Sequence, residues 1–399
     1  MSAPLLSPSA DTLGPQAPDR SKEFDLLCAC AGVSLAPDPI AYIARAAEGG
    51  TDWRQLLHLA EQHGVLPLVA RNLDAHAREL PTEVERQLRS AYEANARRNL
   101  WFASELQRIT DYLDGKQLRA VPYKGPVLAE SVYGDLALRS FSDLDFLISP
   151  ADFERAKQAL AELGYRPSVE LSPAIERFWL RKGYERAFDS TTGKNLVELQ
   201  WGVLPYFYAV DLGIDDLLAR SGRTSVGGRD VSCLSPEDSL LVLCLHAAKH
   251  LWTRLIWVCD IAGTLRTQTI DYPLALARAQ SLGILRIMGV SFWLAQHLLG
   301  AQVPGPARQV VVGDPRIPAL GQEFAARLAR RATYDLDSSE YFRLVLRLRE
   351  RRRDRWRYLW RLMWTPGTGD LAAVQLPETL FPLYQMVRPA RLVRKLCRM

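Results

Sequence analysis

Apolar residues recur at helical spacing through the first third of the chain, from residue 23 to about residue 117. They lie three or four positions apart, which places them on one face of a helix. Examples are Leu56, Leu57, Ala60, Val65, Leu100, Phe102, Leu106, Ile109 and Leu113. The pattern predicts several helices with short connections. The leader before them (1–22) is rich in Pro and Ser and is expected to be disordered.

The pattern changes after residue 117. Residues 118–123 form a short extended segment, and Lys124 and Gly125 follow it. A helix is predicted over 126–133, because this stretch begins with proline, a favourable first helical residue. A turn at 134–135 is expected to end that helix.

Two later segments alternate polar and apolar residues and are predicted to be strands. The first is 141–148 and the second is 195–201. Between them, Ser149 and Pro150 have the residue types of an N-cap and a first helical position, which predicts a helix over 150–163. The middle of the chain is therefore predicted to be a small α/β unit.

After residue 233 the helical pattern returns. Ser235 and Pro236 again predict a helix start, and further helices are predicted over about 273–283 and 284–299. The predicted fold class is α+β, with an α/β core between helical regions. The predicted divisions are a leader (1–22), an N-terminal helical region (23–117), an α/β core (118–232), a helical domain (233–335) and a basic helical tail (336–399).

Charge is distributed unevenly over the 399 residues, whose formal net charge is +5. Residues 343–399 contain fourteen Lys and Arg against four Asp and Glu, a net charge of +10, so the rest of the chain carries −5. A contact with an anionic partner is therefore expected at the tail and not at the body.

The composition, 48% hydrophobic and 24% charged, is that of a globular protein and excludes a wholly disordered chain or a small disulfide scaffold. The six cysteines form no CxxC pair and are expected to be buried thiols. The N-terminus lacks the pattern of a secretory signal. The most apolar long segment, 240–263, contains five charged or histidine residues, too many for a membrane span. We expect a cytoplasmic protein without a transmembrane span.

The two predicted strands carry three acidic residues. Residues two apart on a strand point to the same face, so Asp143 and Asp145 project together, about 6–7 Å apart. Glu198 lies in the middle of the second strand between apolar neighbours, and it faces the same pocket if the two strands pair. Carboxylates on rigid strands are the ligands that Mg²⁺ or Mn²⁺ prefers. Two such ions about 3.5–4 Å apart would activate an attacking hydroxyl and neutralise a departing pyrophosphate.

An Asp-x-Asp pair alone marks a turn or an exposed strand edge more often than a metal site. The order of the surrounding residues makes the pattern more specific in this chain. Lys124 and Gly125 lie at a strand–helix junction, Arg139 follows, and Glu198 comes in a second strand after the aspartate pair.

Together these motifs resemble the bacterial family labelled "uncharacterised nucleotidyltransferase", a branch of the DNA polymerase β-like superfamily. The matching strings are 123–135, 138–148, 197–201, 234–238, 245–250 and 257–261. The resemblance spans roughly residues 24–304, which is most of the chain. Its specificity lies in the combination of motifs and not in any single one.

The resemblance implies a polymerase β-like fold and transfer of a nucleoside monophosphate from an NTP. It places metal ligands at Asp143, Asp145 and Glu198. Lys124 and Gly125 occupy the place where the wider superfamily has a Gly-Ser pair that holds the triphosphate, so we expect the triphosphate to bind there.

Five further residues are candidates with open roles. Arg139 is predicted to hold a phosphate through bidentate hydrogen bonds, and the alternative is that it only neutralises the carboxylates. His246 and His250 share one face of a predicted helix, a spacing at which a structural histidine pair is the commoner outcome. Because both lie with Lys249 in a resembling string, these three are candidates for lining the cleft. Gln200 stands where relatives commonly carry His, which removes a titratable group.

The tail mixes arginine with aromatic residues. Residues 343–360 are predicted to form one basic helix with apolar interruptions. Nine arginines lie between residues 343 and 361 with three aromatic residues among them, and residues 381–399 repeat the mixture without an acid. Such segments bind RNA, acidic lipid or an acidic protein, so residues 343–398 are a candidate partner surface and peripheral membrane attachment stays open. The alternative is a solvated, salt-bridged helix packed on the acidic body.

The leading hypothesis is a Mg²⁺- or Mn²⁺-dependent nucleotidyltransferase that moves a nucleoside monophosphate from an NTP to an unidentified acceptor hydroxyl. Positioning and charge neutralisation would supply its rate enhancement. Two alternatives stay open. One is a catalytically inactive nucleotide-binding or scaffold protein of a biosynthetic system. The other is an RNA-modifying nucleotidyltransferase that uses the basic tail.

Overall fold

A computed structural model describes most of the chain. The described residues are 20–32, 41–44, 46, 49–74, 80–191, 193–332, 334, 338–366, 374, 380 and 383–396. Residues 1–19 of the predicted leader lie outside these ranges. Ser21, which the prediction included in the leader, is instead the N-cap of the first helix, because its side chain accepts a hydrogen bond from the backbone N–H of Phe24 at 3.2 Å.

Helices precede the sheet, as the apolar spacing predicted. They include α1 (Lys22–Cys30), α2 (Trp53–Gln62), α3 (Leu66–Asp74) and the 34-residue α4 (Thr82–Gly115). Two buried amides tie α4 to residues 136–139. Asn95 Nδ2 donates to the carbonyl of Ala137 at 2.7 Å, and Asn99 Nδ2 donates to the carbonyl of Arg139 at 2.8 Å. The long helix therefore supports the α/β core directly.

The core contains a mixed five-stranded sheet in the order β1-β2-β5-β4-β3. Its strands are β1 (Ala120–Pro122), β2 (Leu144–Ile148), β3 (Arg166–Pro167), β4 (Glu185–Ser190) and β5 (Gly193–Gln200). β2 and β5 run parallel, and the other pairs are antiparallel. The predicted α+β class with a mixed sheet between helical regions is confirmed.

Helices and a small ribbon complete the core. They are α5 (Gly125–Leu128), α6 (Phe153–Glu162), α7 (Pro173–Lys182), α8 (Ile214–Ala219) and the two-stranded β6 (Gly222–Val226) with β7 (Arg229–Cys233). α5 continues as a π-helical turn, Ala129–Tyr133, so the predicted helix ends at the expected residue. Ser149 caps as predicted, but a short 3-10 turn at Pro150–Asp152 precedes α6.

The helical pattern after residue 233 is also confirmed. The helices are α9 (Pro236–Lys249), α10 (Leu255–Thr267), α11 (Tyr272–Leu282), α12 (Leu285–Leu299), α13 (Gly305–Gly313) and α14 (Arg316–Ala329). Ser235 caps α9 by accepting a hydrogen bond from the N–H of Asp238 at 3.2 Å. Gly283 and Gly300 end α11 and α12 in the left-handed conformation.

The prediction of one basic helix over residues 343–360 is wrong. The tail forms α15 (Ser339–Leu348), α16 (Arg352–Trp364) and α17 (Tyr384–Leu396). The break lies at Arg349, which is extended and fully buried, since its guanidinium turns inward toward the carbonyl of Ala209 at 3.4 Å. Asp211 of the core pairs with Arg357 and with Arg361, so part of the basic charge is salt-bridged to the body.

Two hydrophobic clusters hold these layers together. The larger one joins α1–α4 to α9–α16, and the smaller one packs α4 and α6 against the sheet. Whether the five predicted divisions are separate domains stays a prediction. Among the described residues, no helix combines the length and the apolar character that a membrane crossing needs. A cytoplasmic location stays a prediction.

Candidate active site

Three acidic side chains converge where β2 and β5 run side by side. Asp145 is in register with Glu198 across the parallel pair, and Asp143 lies just before β2. Leu144 and Phe146 alternate with the aspartates and are buried in the smaller hydrophobic cluster, which fixes the direction of the acidic side chains. One carboxylate oxygen from each acidic residue lies within 4.8 Å of the others. The structure therefore brings the three predicted metal ligands together.

Burial and mutual repulsion disfavour full ionisation of this cluster. Burial first, and then the negative charge of Asp145, raise the pKa of Asp143 to about 6 and the pKa of Glu198 to about 8. The positive charge of Lys124 opposes both shifts. A carboxylate set that repels itself in this way gains stability when a cation binds.

Lys124 supplies one positive charge at the site. Its Nζ lies 3.0 Å from Oδ1 of Asp145, and both side chains are almost fully buried. Burial acts to lower the pKa of Lys124, but the charges of Asp145 and Asp143 outweigh it and raise the pKa. Contact of Lys124 with a triphosphate stays a prediction.

Backbone conformation and close packing favour glycine at position 125. Its φ is +54°, in the left-handed region, and an added Cβ would lie 3.3 Å from the backbone carbonyl oxygen of Asp143. A side chain would therefore meet both backbone strain and a close contact with the acidic segment. The Lys-Gly junction brings the start of α5 directly against this segment.

Gln200 bridges two of the carboxylates, a role that the sequence analysis did not predict. Its Nε2 donates to Oδ1 of Asp145 and to Oε2 of Glu198, both at 2.8 Å. The hydroxyl of Tyr123 donates to Gln200 Oε1 at 2.6 Å, which turns the amide nitrogen toward the acids. A signal was present, because Gln200 lies two residues after Glu198 and so on the same strand face.

Glu185 is a fourth carboxylate that sequence reasoning missed. β4 pairs with β5 so that Glu185 is opposite Gln200, and Glu185 Oε2 lies 3.5 Å from Gln200 Nε2. Its negative charge contributes to the raised pKa values of Asp143 and Glu198. The sequence gives no direct indication of which strand lies beside β5, so the position of Glu185 required the structure.

Arg139 is buried in an ion pair with Asp260. Its Nε and Nη2 each lie 2.9 Å from a different oxygen of Asp260 in α10. The hydroxyl of Tyr133 donates to the same carboxylate at 2.6 Å. This arrangement joins the segment before β2 to the helical region, and a contact between Arg139 and phosphate stays a prediction.

His246 and His250 pack together with Trp257. The two imidazole centroids are 5.0 Å apart, and the ring of His250 stacks on Trp257 at 4.8 Å. Burial, followed by positive charges that include Lys124 and Lys249, lowers the pKa of His246 well below its ordinary value and that of His250 to about 3. Both rings are therefore neutral near pH 7, and the field of Lys124 reaches them.

Lys249 is buried at the end of α9. Its Nζ lies 4.8 Å from the ring centroid of Tyr184, and burial lowers its pKa while the charge of Glu185 opposes the shift. The backbone carbonyl of Lys249 accepts hydrogen bonds from the hydroxyls of Tyr208 at 3.2 Å and Tyr341 at 2.7 Å. The roles of Lys249 and of the two histidines in lining the cleft stay predictions.

Comparison with known proteins gives one match that covers more than half of the chain. A search of curated proteins finds no match. The sequence model of the family described as "Uncharacterised nucleotidyltransferase" matches residues 49–300. This range contains the whole five-stranded sheet, the three acidic residues and the helices that carry Asp260 and the two histidines. The chain therefore belongs to this uncharacterised nucleotidyltransferase family, which assigns it a transferase role.

Proposed function

We propose that the protein transfers a nucleoside monophosphate from an NTP to an acceptor hydroxyl and releases pyrophosphate. The observation that carries the proposal is the convergence of Asp143, Asp145 and Glu198, with carboxylate oxygens within 4.8 Å of one another on paired strands. Membership of a nucleotidyltransferase family supports the same reaction class.

The three carboxylates fit a hard divalent ion, Mg²⁺ or Mn²⁺. All three donors are oxygens and they converge on one point, and the raised pKa values of Asp143 and Glu198 reflect in part a repulsion that a cation would relieve. When bound there, divalent ions would supply positive charge to the phosphate oxygens and to the reacting hydroxyl.

We assign the binding of the triphosphate, the deprotonation of the acceptor and the positioning of the site to residues of the chain. Lys124 already carries its charge at the site, and we assign it and the start of α5 at Gly125 to the triphosphate. Glu198 completes the set of metal ligands, and we also assign it to the deprotonation of the acceptor hydroxyl. Arg139 would have to release Asp260 before it could bind phosphate, so the observed pair favours a positioning role.

Labelling identifies the substrates of this reaction. The protein is incubated with each α-labelled NTP, with Mg²⁺ or Mn²⁺, and with cell extract. We expect one nucleotide to transfer its label to one fraction of the extract while pyrophosphate is released. If none of the NTPs yields pyrophosphate in the presence of extract, the proposal is wrong.

Two substitutions test the assigned ligands. Asp143→Asn and Asp145→Asn each remove a charged oxygen donor at nearly constant shape, and we expect each to lower activity about 10³-fold or more. Circular dichroism should show that the variants remain folded. The matched control is Asp230→Asn, an exposed aspartate in β7 that should retain wild-type activity. Wild-type activity in either active-site variant would contradict the assignment.

One observation favours a second candidate, a catalytically inactive nucleotide-binding or scaffold protein. The Lys124 ammonium and the Gln200 amide already satisfy Asp145 without an ion. Isothermal titration separates the two candidates. The scaffold binds NTP equally well with and without Mg²⁺ and releases no pyrophosphate, whereas the enzyme needs the ion for both.

A further inference from the structure

Helix α16 is apolar on two opposite sides. Tyr358 and Leu362 point into the larger hydrophobic cluster and are buried. Trp356, Trp360 and Met363 lie on the other side, with 73%, 67% and 43% of their surface exposed. Their spacing of four and then three residues places them in one stripe along the helix. Two largely exposed tryptophans one turn apart are unusual on the surface of a protein that has no partner there.

Positive charge accompanies the apolar stripe. Arg352, Arg353 and Arg357 are exposed on the same helix, while its one acidic residue, Asp354, is buried. Arg357 pairs with Asp211, and Arg353 Nε lies 3.6 Å from Asp354 Oδ1 although its side chain is 68% exposed. Arg352 and Arg353 thus present positive charge to solvent at the start of the helix. The segment from residue 343 to the C-terminus carries a net charge of +10. The surface therefore combines aromatic and cationic groups without an exposed acid from α16.

We propose that this Trp–Arg face, formed by Arg352, Arg353, Trp356, Trp360 and Met363, docks on a bilayer surface that contains anionic phospholipid. Indole rings favour the headgroup region, and guanidinium groups bind headgroup phosphate. The proposal is independent of the proposed transferase reaction.

The apolar stripe favours lipid over nucleic acid. RNA offers phosphates to the arginines and bases to the tryptophans, but it offers little to an exposed methionine on the convex side of a helix. A bilayer accepts all three apolar side chains along their common stripe, while the opposite side of α16 keeps its contacts with the core. Charge complementarity selects a bilayer with anionic lipid over one with zwitterionic lipid alone.

Vesicle flotation of the full chain tests the proposal. Vesicles of phosphatidylcholine are compared with vesicles that also contain phosphatidylglycerol. We expect binding to the anionic vesicles only, with a decrease at high salt. The double variant Trp356→Ala/Trp360→Ala should weaken partitioning about tenfold, and Arg352→Glu/Arg353→Glu should weaken it about tenfold or more.

Matched controls come from α4, which lies far from the tail in sequence. Leu100→Ala removes an apolar side chain that is 61% exposed, and Arg86→Glu/Arg97→Glu makes the same charge change at exposed positions. Both should bind vesicles like the wild type, and thermal unfolding should show that all variants are folded. No binding to anionic vesicles, or equal binding by the Trp–Arg face variants, would overturn the proposal. The proposal is also wrong if the protein does not bind vesicles and the Trp–Arg face variants instead lose RNA binding or self-association.

Discussion

The amide of Gln200 stands between Asp145 and Glu198 and donates to both. Two negative groups held this close need a donor or a cation between them, and an amide supplies the donor without titrating. Tyr123 fixes which end of the amide faces the acids. The acidic side chains are therefore held in one arrangement by hydrogen bonds from an uncharged amide together with the charge of Lys124.

The raised pKa values of Asp143 and Glu198 predict a pH-dependent metal affinity. A protonated carboxyl must lose its proton before it binds a cation. Affinity for Mn²⁺, measured by electron paramagnetic resonance, should therefore rise with pH through about 6 and level off above about 8. Glu198→Gln, which has no proton to lose at that position, should remove the upper part of this dependence. An affinity that is flat over this range would contradict the prediction.

Stability without metal should follow the opposite trend. Both carboxyls have higher pKa values in the folded protein than their ordinary values of 3.8 and 4.5. At a pH between the ordinary and the raised pKa values of these carboxyls, the folded state holds more protons than the unfolded chain. The free energy of unfolding therefore falls as the pH rises toward about 8. Urea unfolding at a series of pH values, with and without Mn²⁺, checks this. The difference between the two curves should grow with pH.

At the scale of elements, the junction of β1 with α5 sets the distance between Lys124 and the acidic segment. Gly125→Ala introduces a Cβ at a φ of +54° and 3.3 Å from the carbonyl oxygen of Asp143. Gly134→Ala is the matched control, because Gly134 also has a positive φ, +70°, but no atom within 4 Å of the added Cβ. Gly134→Ala should cost about 1 kcal/mol of stability, and Gly125→Ala should cost more because the close contact adds to the backbone strain. Only Gly125→Ala should also reduce activity, and equal activity in the two variants would contradict this prediction.

The elements that sequence reasoning identified well are those with strong local signals. Alternation indicated β2 and β5, and Ser235 with Pro236 indicated the start of α9. The tail was misjudged because a run of arginines has no local signal for a break, and only the burial of Arg349 explains where the helix ends. Likewise Glu185 joins the site through a strand pairing that depends on contacts between distant segments.

At the scale of the whole molecule, the Arg139–Asp260 pair joins the α/β core to the helical region. Asp260→Asn leaves a buried guanidinium with an incomplete partner, and we expect a cost of about 3–5 kcal/mol in chemical unfolding. Asp111→Asn is the control, since Asp111 pairs with Arg229 at the surface and should cost less than about 1 kcal/mol. Similar costs for the two variants would show that the buried pair does not hold the regions together.

In the candidate site too, features that depend on neighbouring residues in the sequence were predicted, and contacts between distant segments were not. Asp143, Asp145 and Glu198 were predicted from side-chain alternation, and their convergence depended only on the two strands being neighbours. The partner of Arg139 was not predicted, because Asp260 lies in a helix more than a hundred residues away. Ion pairs between distant segments leave no periodic trace in a sequence.

The two tyrosine hydroxyls that donate to the carbonyl of Lys249 show that residues beyond the family match contribute to the structure around α9. The last carbonyls of a helix have no partner within it, and here one of them is satisfied by a side chain from α15, which lies beyond the family match at residues 49–300. A fragment trimmed to the matched range would lose this hydroxyl C-cap next to the buried ammonium. The hydroxyl of Tyr208 would still reach this carbonyl, but the shorter hydrogen bond from α15 would be missing, so α15 contributes to the structure at the end of α9.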